Sequence, residues 1–241
     1  MEAVSCRCGR LAIAFAVAVL VAGVPTPASA NPAVTAFPGM EIRQGGTVCM
    51  VGLVEPRLRI AVTSGQCESG ASAVTDHDGN PVGTVVLARR QGGEDTAANA
   101  AMLPVEYEVI ALGAAVTASD VLPTGRQLRS SPGLRAQPGL PVCQFRRAVG
   151  QRCGSISSVS NGRFIIADVA VDHRDFGGPV YALTDDNGAV IVGLFEGVWG
   201  SVPEMESWEA VMQQVYIDGR SQNQQQQPPG EARMIGRRVA A

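Results

Sequence analysis

The chain has 241 residues, of which 46% are hydrophobic and 17% charged, and it contains 28 glycines and 15 prolines. This composition is typical of a globular, turn-rich protein and excludes a chain that is disordered throughout. The formal net charge of −3 provides no basic surface for nucleic acid, so nucleic-acid binding is not expected.

The N-terminal segment has the layout of a secretory signal peptide. Arg7 and Arg10 precede an apolar run, Leu11 to Val24, and Ala28-Ser29-Ala30 supplies a cleavage site. The apolar run is too short to span a bilayer comfortably. We therefore expect residues 1–30 to be removed and the protein to be secreted, either extracellular or at the cell envelope, with no stable membrane insertion. An uncleaved N-terminal anchor is the alternative.

The cysteine content fits an oxidising compartment. Beyond the predicted signal peptide the chain has Cys49, Cys67, Cys143 and Cys153. Four cysteines form two disulfides in any of three connectivities, and we expect the local pairing, 49 with 67 and 143 with 153. A zinc site made of these cysteines is not expected, because no C-x-x-C pair is present.

The body of the chain is predicted to consist of many short strands. β-rich segments alternate with turn signals such as Asp78-Gly79-Asn80-Pro81, Asn161-Gly162 and Asp185-Asp186-Asn187-Gly188. The predicted strands are residues 47–54, 58–63, 82–88, 106–112, 127–129, 141–146, 154–159, 163–169, 179–183 and 189–196.

A single helix is predicted near the C-terminus. Helical periodicity covers Glu204–Ile217 and places Trp208, Val211, Met212 and Val215 on one face. Residues 220–241 are predicted to form a disordered Gln/Pro-rich tail, which leaves residues 31–219 for the folded domain. Many short strands and one terminal helix predict an all-β barrel or sandwich, and periodicity alone does not separate the two.

Three segments, in this order, resemble the chymotrypsin/trypsin-like serine proteases. Ile60–Cys67 (IAVTSGQC) resembles the LTAGHC segment of that family, and Cys49 matches its disulfide partner. Arg174–Tyr181 (RDFGGPVY) resembles GDSGGPVY, and Ile191–Gly200 (IVGLFEGVWG) resembles the strand that forms the specificity-pocket wall. The resemblance covers about Pro38 to Ile217 and extends to the trypsin-like proteins exported by actinobacteria, including mycobacteria. It implies a chymotrypsin-like double β-barrel with a C-terminal helix.

The resemblance also implies that the catalytic triad is degenerate. Gln66 holds the histidine position, and its carboxamide cannot act as a general base. Phe176 holds the serine position and has no nucleophilic atom. Glu106 is the expected carboxylate position, with Asp95 as the alternative. The family's oxyanion hole uses the backbone N–H groups of the serine and of a glycine two residues earlier, which is Arg174 here.

We therefore expect a secreted, catalytically inactive trypsin-like homologue, a pseudoprotease with no catalytic residues, no cofactor and no metal. Asp175 is expected to be a buried, paired carboxylate, and Phe176 to fill part of the former cleft against Gln66 and the Val198-Trp199 wall. Neighbouring residues on one loop rarely converge on a metal, so Asp172, His173 and Asp175 are not predicted to bind one.

Three interpretations of function stay open at this stage. The first is binding of an unknown protein or peptide partner, by β-augmentation along the remnant groove. The second is an active secreted serine-type peptidase or hydrolase with a non-standard catalytic site. The third is a structural or envelope-associated protein that interacts through its Gln/Pro-rich tail.

Overall fold

A computed structural model describes residues 33–67, 70, 72–90, 105–167, 172–199 and 202–226, all of them in one compact unit, Pro32–Ala241. The predicted signal peptide, Asp95 and residues 227–241 lie outside the described residues. Within the described part, no helix is both long and apolar enough to cross a membrane.

The N-terminal half forms an open, seven-stranded half-barrel. The strands of this half of the chain are β1 Thr35–Ala36, β2 Glu41–Gln44, β3 Thr47–Met50, β4 Leu53–Glu55, β5 Ile60–Thr63, β6 Ala73–Thr75, β7 Pro81–Arg89 and β8 Tyr107–Leu112, of which β2 to β8 form the half-barrel. The half-barrel has the strand order β3-β2-β6-β7-β8-β5-β4, with antiparallel neighbours. Strand β1 stands apart from it and pairs in parallel with β9 (Thr117–Ala118).

The C-terminal half forms a closed barrel. Its strands are β10 Leu128–Arg129, β11 Pro141–Arg146, β12 Gly150–Ser160, β13 Arg163–Ile166, β14 Pro179–Leu183, β15 Ala189–Trp199 and β16 Val202–Ser207. The order is β10-β15-β14-β11-β12-β13-β16, and β15 also pairs with β16. This last pairing closes six strands into a ring, with β10 attached outside. The all-β chymotrypsin-like fold predicted from the sequence is confirmed.

The turn signals account for much of this order. The hairpin between β12 and β13 turns at Asn161 and Gly162, whose φ angles of 50° and 80° are those that a tight hairpin requires. The predicted strand 47–54 is instead two strands, because the chain leaves β3 and enters β4 at Gly52. A side chain at Gly52 would overlap the Leu194 side chain and the Gly177 carbonyl oxygen.

The terminal helix, α1, differs from its prediction at both ends. It runs from Trp208 to Gln226, and the first four residues of the predicted helix belong to β16. The helix starts at Trp208 because the hydroxyl of Ser207 accepts the N–H of Ala210 at 3.2 Å and so caps the first turn. At its other end the helix continues beyond Ile217 to Gln226.

Two disulfides join the predicted local pairs. Cys49 on β3 is bonded to Cys67, and Cys143 on β11 is bonded to Cys153 on β12. The local pairing expected from the sequence is therefore confirmed.

Candidate functional site

Gln66 and Glu106, two of the positions singled out from the sequence, lie in contact. Gln66 lies in the 3₁₀ turn Gly65–Cys67, which the disulfide to Cys49 attaches to β3. Its Nε2 donates a 2.6 Å hydrogen bond to Oε2 of Glu106, immediately before β8. Glu106 is buried, at 1% exposure, whereas Gln66 is exposed. The carboxamide therefore covers a buried carboxyl group.

A second glutamate, Glu196 on β15, extends this pair and was not predicted from the sequence. Glu196 is buried, at 4% exposure. The Ser64 hydroxyl donates a 2.9 Å bond to Glu196 Oε1 and accepts the backbone N–H of Gln66 at 2.9 Å. Burial raises the pKa of Glu196 well above its usual range, and the hydrogen bond to Glu106 adds to the effect. Burial therefore favours the protonated form of the Glu196 carboxyl group over its carboxylate.

Phe176 packs between the two barrels. Its ring stacks on Phe195, with centroids 5.5 Å apart and planes 17° from parallel, and meets the edge of His173 at 5.5 Å. The half-buried ring contacts the apolar clusters of both barrels, and Val198 packs on the same cluster in the second barrel. The side chain of Trp199 lies outside the described residues, and contact between Phe176 and Gln66 stays a prediction.

The backbone amides at the expected oxyanion positions are used within their own turn. Asp172 caps the 3₁₀ turn His173–Asp175, and its Oδ1 accepts the N–H of Arg174 at 3.0 Å. The N–H of Phe176 donates to the carbonyl of His173 at 3.4 Å. Both donors are therefore directed at protein acceptors. No group of His, Cys, Asp or Glu side chains in the described ranges is arranged to hold a metal ion.

Asp175, in the same turn, is buried and paired, as expected. Its Oδ2 accepts a 2.8 Å bond from Arg146 Nε, and its Oδ1 accepts the backbone N–H of Arg147 at 3.0 Å. Asp175 is 1% exposed and Arg146 is 8% exposed, so the ion pair is almost completely shielded from water. This pair fixes the turn that carries Phe176 against the end of β11.

Glycine is required immediately after Phe176. Gly177 has a φ of 77°, and a side chain there would overlap the Thr63 hydroxyl and the Met50 carbonyl. The close approach lets the Phe176 carbonyl accept the Met50 N–H at 2.7 Å, while the Gly177 N–H donates to the Phe195 carbonyl at 2.8 Å. The Phe176–Gly177 turn thus joins β3 of the first barrel to β15 of the second.

The strand order and the two sheets are those of the chymotrypsin-like serine protease fold. A glutamic-acid-specific serine protease has the same fold, with a TM-score of 0.55 and 16% identity over 76% of this chain and 97% of that chain. Chymotrypsin from Cellulomonas bogoriensis gives a TM-score of 0.54 and 19% identity over 76% of this chain and 96% of that chain. At these identities the likeness concerns the fold alone.

Sequence comparison identifies a narrower relationship. No family model matches the chain. The uncharacterized protein Rv1815 of Mycobacterium tuberculosis is 43% identical over 209 residues, which is 86% of this chain and 94% of that protein. The chain therefore belongs to the same protein family as Rv1815.

Proposed function

We propose that this protein is an exported, catalytically inactive member of the chymotrypsin-like fold that binds an extended peptide segment without cleaving it. The observation that supports this proposal most directly is the turn around Phe176. There an aromatic ring holds the position that the resemblance gives to the nucleophile, and the amides expected to form the oxyanion hole donate within their own turn. Two intrachain disulfides and the sequence of a signal peptide support export.

The Gln66–Glu106 pair supports loss of the general base. In a serine protease the residue at this position must take a proton from the nucleophile and return it to the leaving group. The Gln66 carboxamide does not titrate near neutral pH, and its NH₂ group already donates to Glu106. Glu106 does not substitute for it, because it is buried and its carboxyl group already accepts the Gln66 amide.

The Phe176 turn supports loss of the remaining chemistry. Phenylalanine offers no atom for attack on a carbonyl carbon. The amides of Arg174 and Phe176 already donate to Asp172 and His173, so neither is free to stabilise a developing oxyanion. An intact oxyanion hole without the triad retains about 10³–10⁴-fold catalysis over water. With both amides bonded within the turn, this remaining catalysis is not expected either.

The edge of β15 supports peptide binding. Strand β15 pairs with β14 only as far as Leu194, whereas its pairing with β16 on the other side continues to Trp199. Among the described strands, residues Gly197–Trp199 therefore have a neighbour on one side alone. Such an edge offers backbone hydrogen bonds to an incoming extended segment. Phe176 lies beside it, with a ring carbon 3.9 Å from where a Gly197 side chain would begin, and supplies apolar contact.

Two readouts on one sample test this proposal. The protein lacking residues 1–30 is incubated with a mixed-sequence peptide library, and mass spectrometry records both retained peptides and cleavage products. Hydrogen exchange then compares free and peptide-bound protein. We expect intact peptides to be retained and amide protection at Gly197–Trp199, with β13 as the internal control that stays unchanged. Cleavage products, or bound peptides without protection at this edge, would contradict the proposal.

A truncation separates groove binding from binding through the tail. Removing residues 227–241 leaves every described element intact, including the whole of α1. The groove proposal predicts the same peptide retention in the truncated and full-length proteins. Loss of retention on truncation would instead assign the interaction to the tail.

A further inference from the structure

The two disulfides differ in how much of each faces solvent. Cys49 and Cys67 are 1% and 0% exposed. In the second disulfide Cys143 is 3% exposed, whereas Cys153 on β12 is an exposed residue. Thiol–disulfide exchange begins when a thiolate attacks a disulfide sulfur, so its rate depends on access to that sulfur. The second disulfide therefore presents one of its cysteines to dissolved thiols, and the first presents neither.

The exposed disulfide joins two directly opposite residues of a β-hairpin. Cys143 on β11 is paired in antiparallel register with Cys153 on β12, and Tyr181 on β14 is the partner of Cys143 on its other side. Residues opposite each other in a sheet place their side chains on the same face. The backbone pairing of β11 with β12 covers every residue from Pro141 to Arg146. The hairpin is therefore held by its ladder of backbone bonds, and breaking the sulfur–sulfur bond does not require unfolding.

An amide donor is fixed beside both sulfur atoms. Gln151 Nε2 lies 3.3 Å from Cys153 Sγ and 3.6 Å from Cys143 Sγ. The buried Tyr181 hydroxyl donates a 2.9 Å hydrogen bond to Gln151 Oε1, so the NH₂ end of the amide is the one that faces the disulfide. Burial raises the pKa of Tyr181 to about 12, so the hydroxyl keeps the hydrogen that it donates.

This donor favours cleavage of the disulfide more than it favours the intact bond. A disulfide sulfur is a weak acceptor, whereas a sulfur that leaves as a thiolate carries charge and accepts strongly. Cys143 belongs to an apolar cluster that includes Leu53 and Tyr181, an environment that disfavours a charged thiolate. A hydrogen bond from Gln151 compensates for that environment as the charge develops, and a better-stabilised leaving thiolate departs faster.

We propose that Cys143–Cys153 is a thiol–disulfide exchange site, which a dithiol reductant opens in the folded protein by attack on Cys153 while Gln151 stabilises the departing Cys143 thiolate. The reductant's thiolate bonds to Sγ of Cys153, and the electron pair of the broken bond leaves with Sγ of Cys143, which then takes up a proton. The second thiolate of the reductant attacks the reductant's own sulfur in the mixed disulfide and releases Cys153. The reductant thus loses two electrons and becomes a disulfide, and the protein gains two thiols.

The Cys49–Cys67 disulfide has neither feature and serves as a permanent cross-link. Both of its cysteines are buried. The Thr63 hydroxyl lies 3.3 Å from Cys67 Sγ, but it donates its hydrogen to the Met50 carbonyl at 2.7 Å. This hydrogen is therefore not directed at the sulfur, and dissolved thiols do not reach the bond. One chain thus contains the proposed exchange site and an internal control for it.

The opened form presents a single reactive group. Cys153 is exposed and becomes a free thiol that forms a mixed disulfide with another thiol, whereas Cys143 stays in its apolar cluster as a small buried side chain. This chemistry goes beyond the proposed binding of peptides. It involves the β11–β12 hairpin and does not depend on the free edge of β15.

Timed reduction of the folded protein tests the proposal. The protein lacking residues 1–30 is exposed to dithiothreitol without denaturant, quenched in acid, unfolded and alkylated, and mass spectrometry then measures the label on each cysteine. We expect Cys143 and Cys153 to be reduced at least about tenfold faster than Cys49 and Cys67, with an unchanged circular dichroism spectrum. Equal rates, faster reduction of Cys49–Cys67, or reduction only with loss of the folded spectrum would overturn the proposal.

Two further readouts test the direction of attack and the part played by Gln151. Glutathione, a monothiol, traps the mixed disulfide, and we expect it on Cys153; glutathione on Cys143 instead would overturn the proposal. Gln151→Met keeps the length of the side chain but removes the donor, and it should slow reduction of Cys143–Cys153 about tenfold. The matched control is Gln127→Met, whose exposed amide bonds Asp120 and should leave the rate unchanged. An unchanged rate in Gln151→Met would overturn the role assigned to its amide.

Discussion

Replacing Arg146 with alanine leaves Asp175 as an uncompensated charge in the interior. The two side chains meet at 2.8 Å, and Asp175 keeps one other bond, from the Arg147 N–H. Breaking a buried ion pair by removing one partner destabilises a protein by about 3–5 kcal/mol. We expect Arg146→Ala to lower the free energy of unfolding by this amount, which is a large fraction of the about 5–15 kcal/mol that holds a typical domain folded.

Urea unfolding followed by tryptophan fluorescence measures this loss, and the chain offers a matched control. Arg129 and Asp186 also pair at 2.9 Å, but their side chains are 46% and 56% exposed. Exposed pairs contribute about 0–1 kcal/mol, so Arg129→Ala should barely move the transition. The double variant Arg146→Ala/Asp175→Asn removes both charges and should be less destabilised than the sum of its single variants.

The stability losses of Arg146→Ala and Arg129→Ala, compared with each other, show whether burial of the ion pair controls stability. If Arg146→Ala cost no more than Arg129→Ala, burial of the Asp175 pair would not control stability, and the argument that it fixes the Phe176 turn would fail. The same conclusion would follow if the loss of unfolding free energy in the double variant equalled the sum of the losses in the two single variants.

Three further predictions concern the same framework. Phe176→Ala removes a half-buried ring stacked on Phe195 and should cost about 1.5–3 kcal/mol in thermal unfolding; no loss would mean that the ring does not pack as described. Gly177→Ala should lower the free energy of unfolding further, because the added methyl group would overlap the Met50 carbonyl at a backbone φ of 77°. A soluble yield and melting temperature equal to those of the unmodified protein would refute this. Asp218→Asn removes a partly exposed ion pair with Arg89 and should cost about 1 kcal/mol, with protease cleavage beginning in the last turns of α1; unchanged cleavage would contradict the assigned helix contact.

Strand positions were predictable where local chemistry and long-range packing agree. The strands Pro141–Arg146 and Pro179–Leu183 have the bounds that the sequence predicted, since β-rich segments end at clear turn residues. The segment Val202–Ser207 was assigned in part to the helix, because its spacing of apolar residues also fits a helical period. Pairing with β13 and β15 makes it a strand, and no local pattern reveals those distant partners.

The sequence led to the residues Gln66, Glu106 and Phe176 of the candidate site but not to the buried glutamates around them. The resemblance led to Gln66 and Glu106, which lie in contact, and to Phe176 at the turn. Glu196 and Glu206 were missed, because a glutamate in a strand is ordinarily expected on the solvent face. The only sequence signal is that Glu196 interrupts the apolar run Ile191–Phe195 on a strand expected to be buried. The Arg174 amide bonds the Asp172 cap and the Phe176 amide bonds the His173 carbonyl, and the motif alone specifies neither acceptor.

Labelling with a fluorophosphonate probe tests the central claim, that serine-hydrolase chemistry is absent, most directly. The purified protein lacking residues 1–30 is compared with a variant that carries Gln66→His, Glu106→Asp, Arg174→Gly and Phe176→Ser. We predict that the natural protein stays unlabelled while the variant, with nucleophile, base and turn glycine restored, reacts. Covalent labelling of the natural protein would contradict the account and would require a reactive serine elsewhere in the chain.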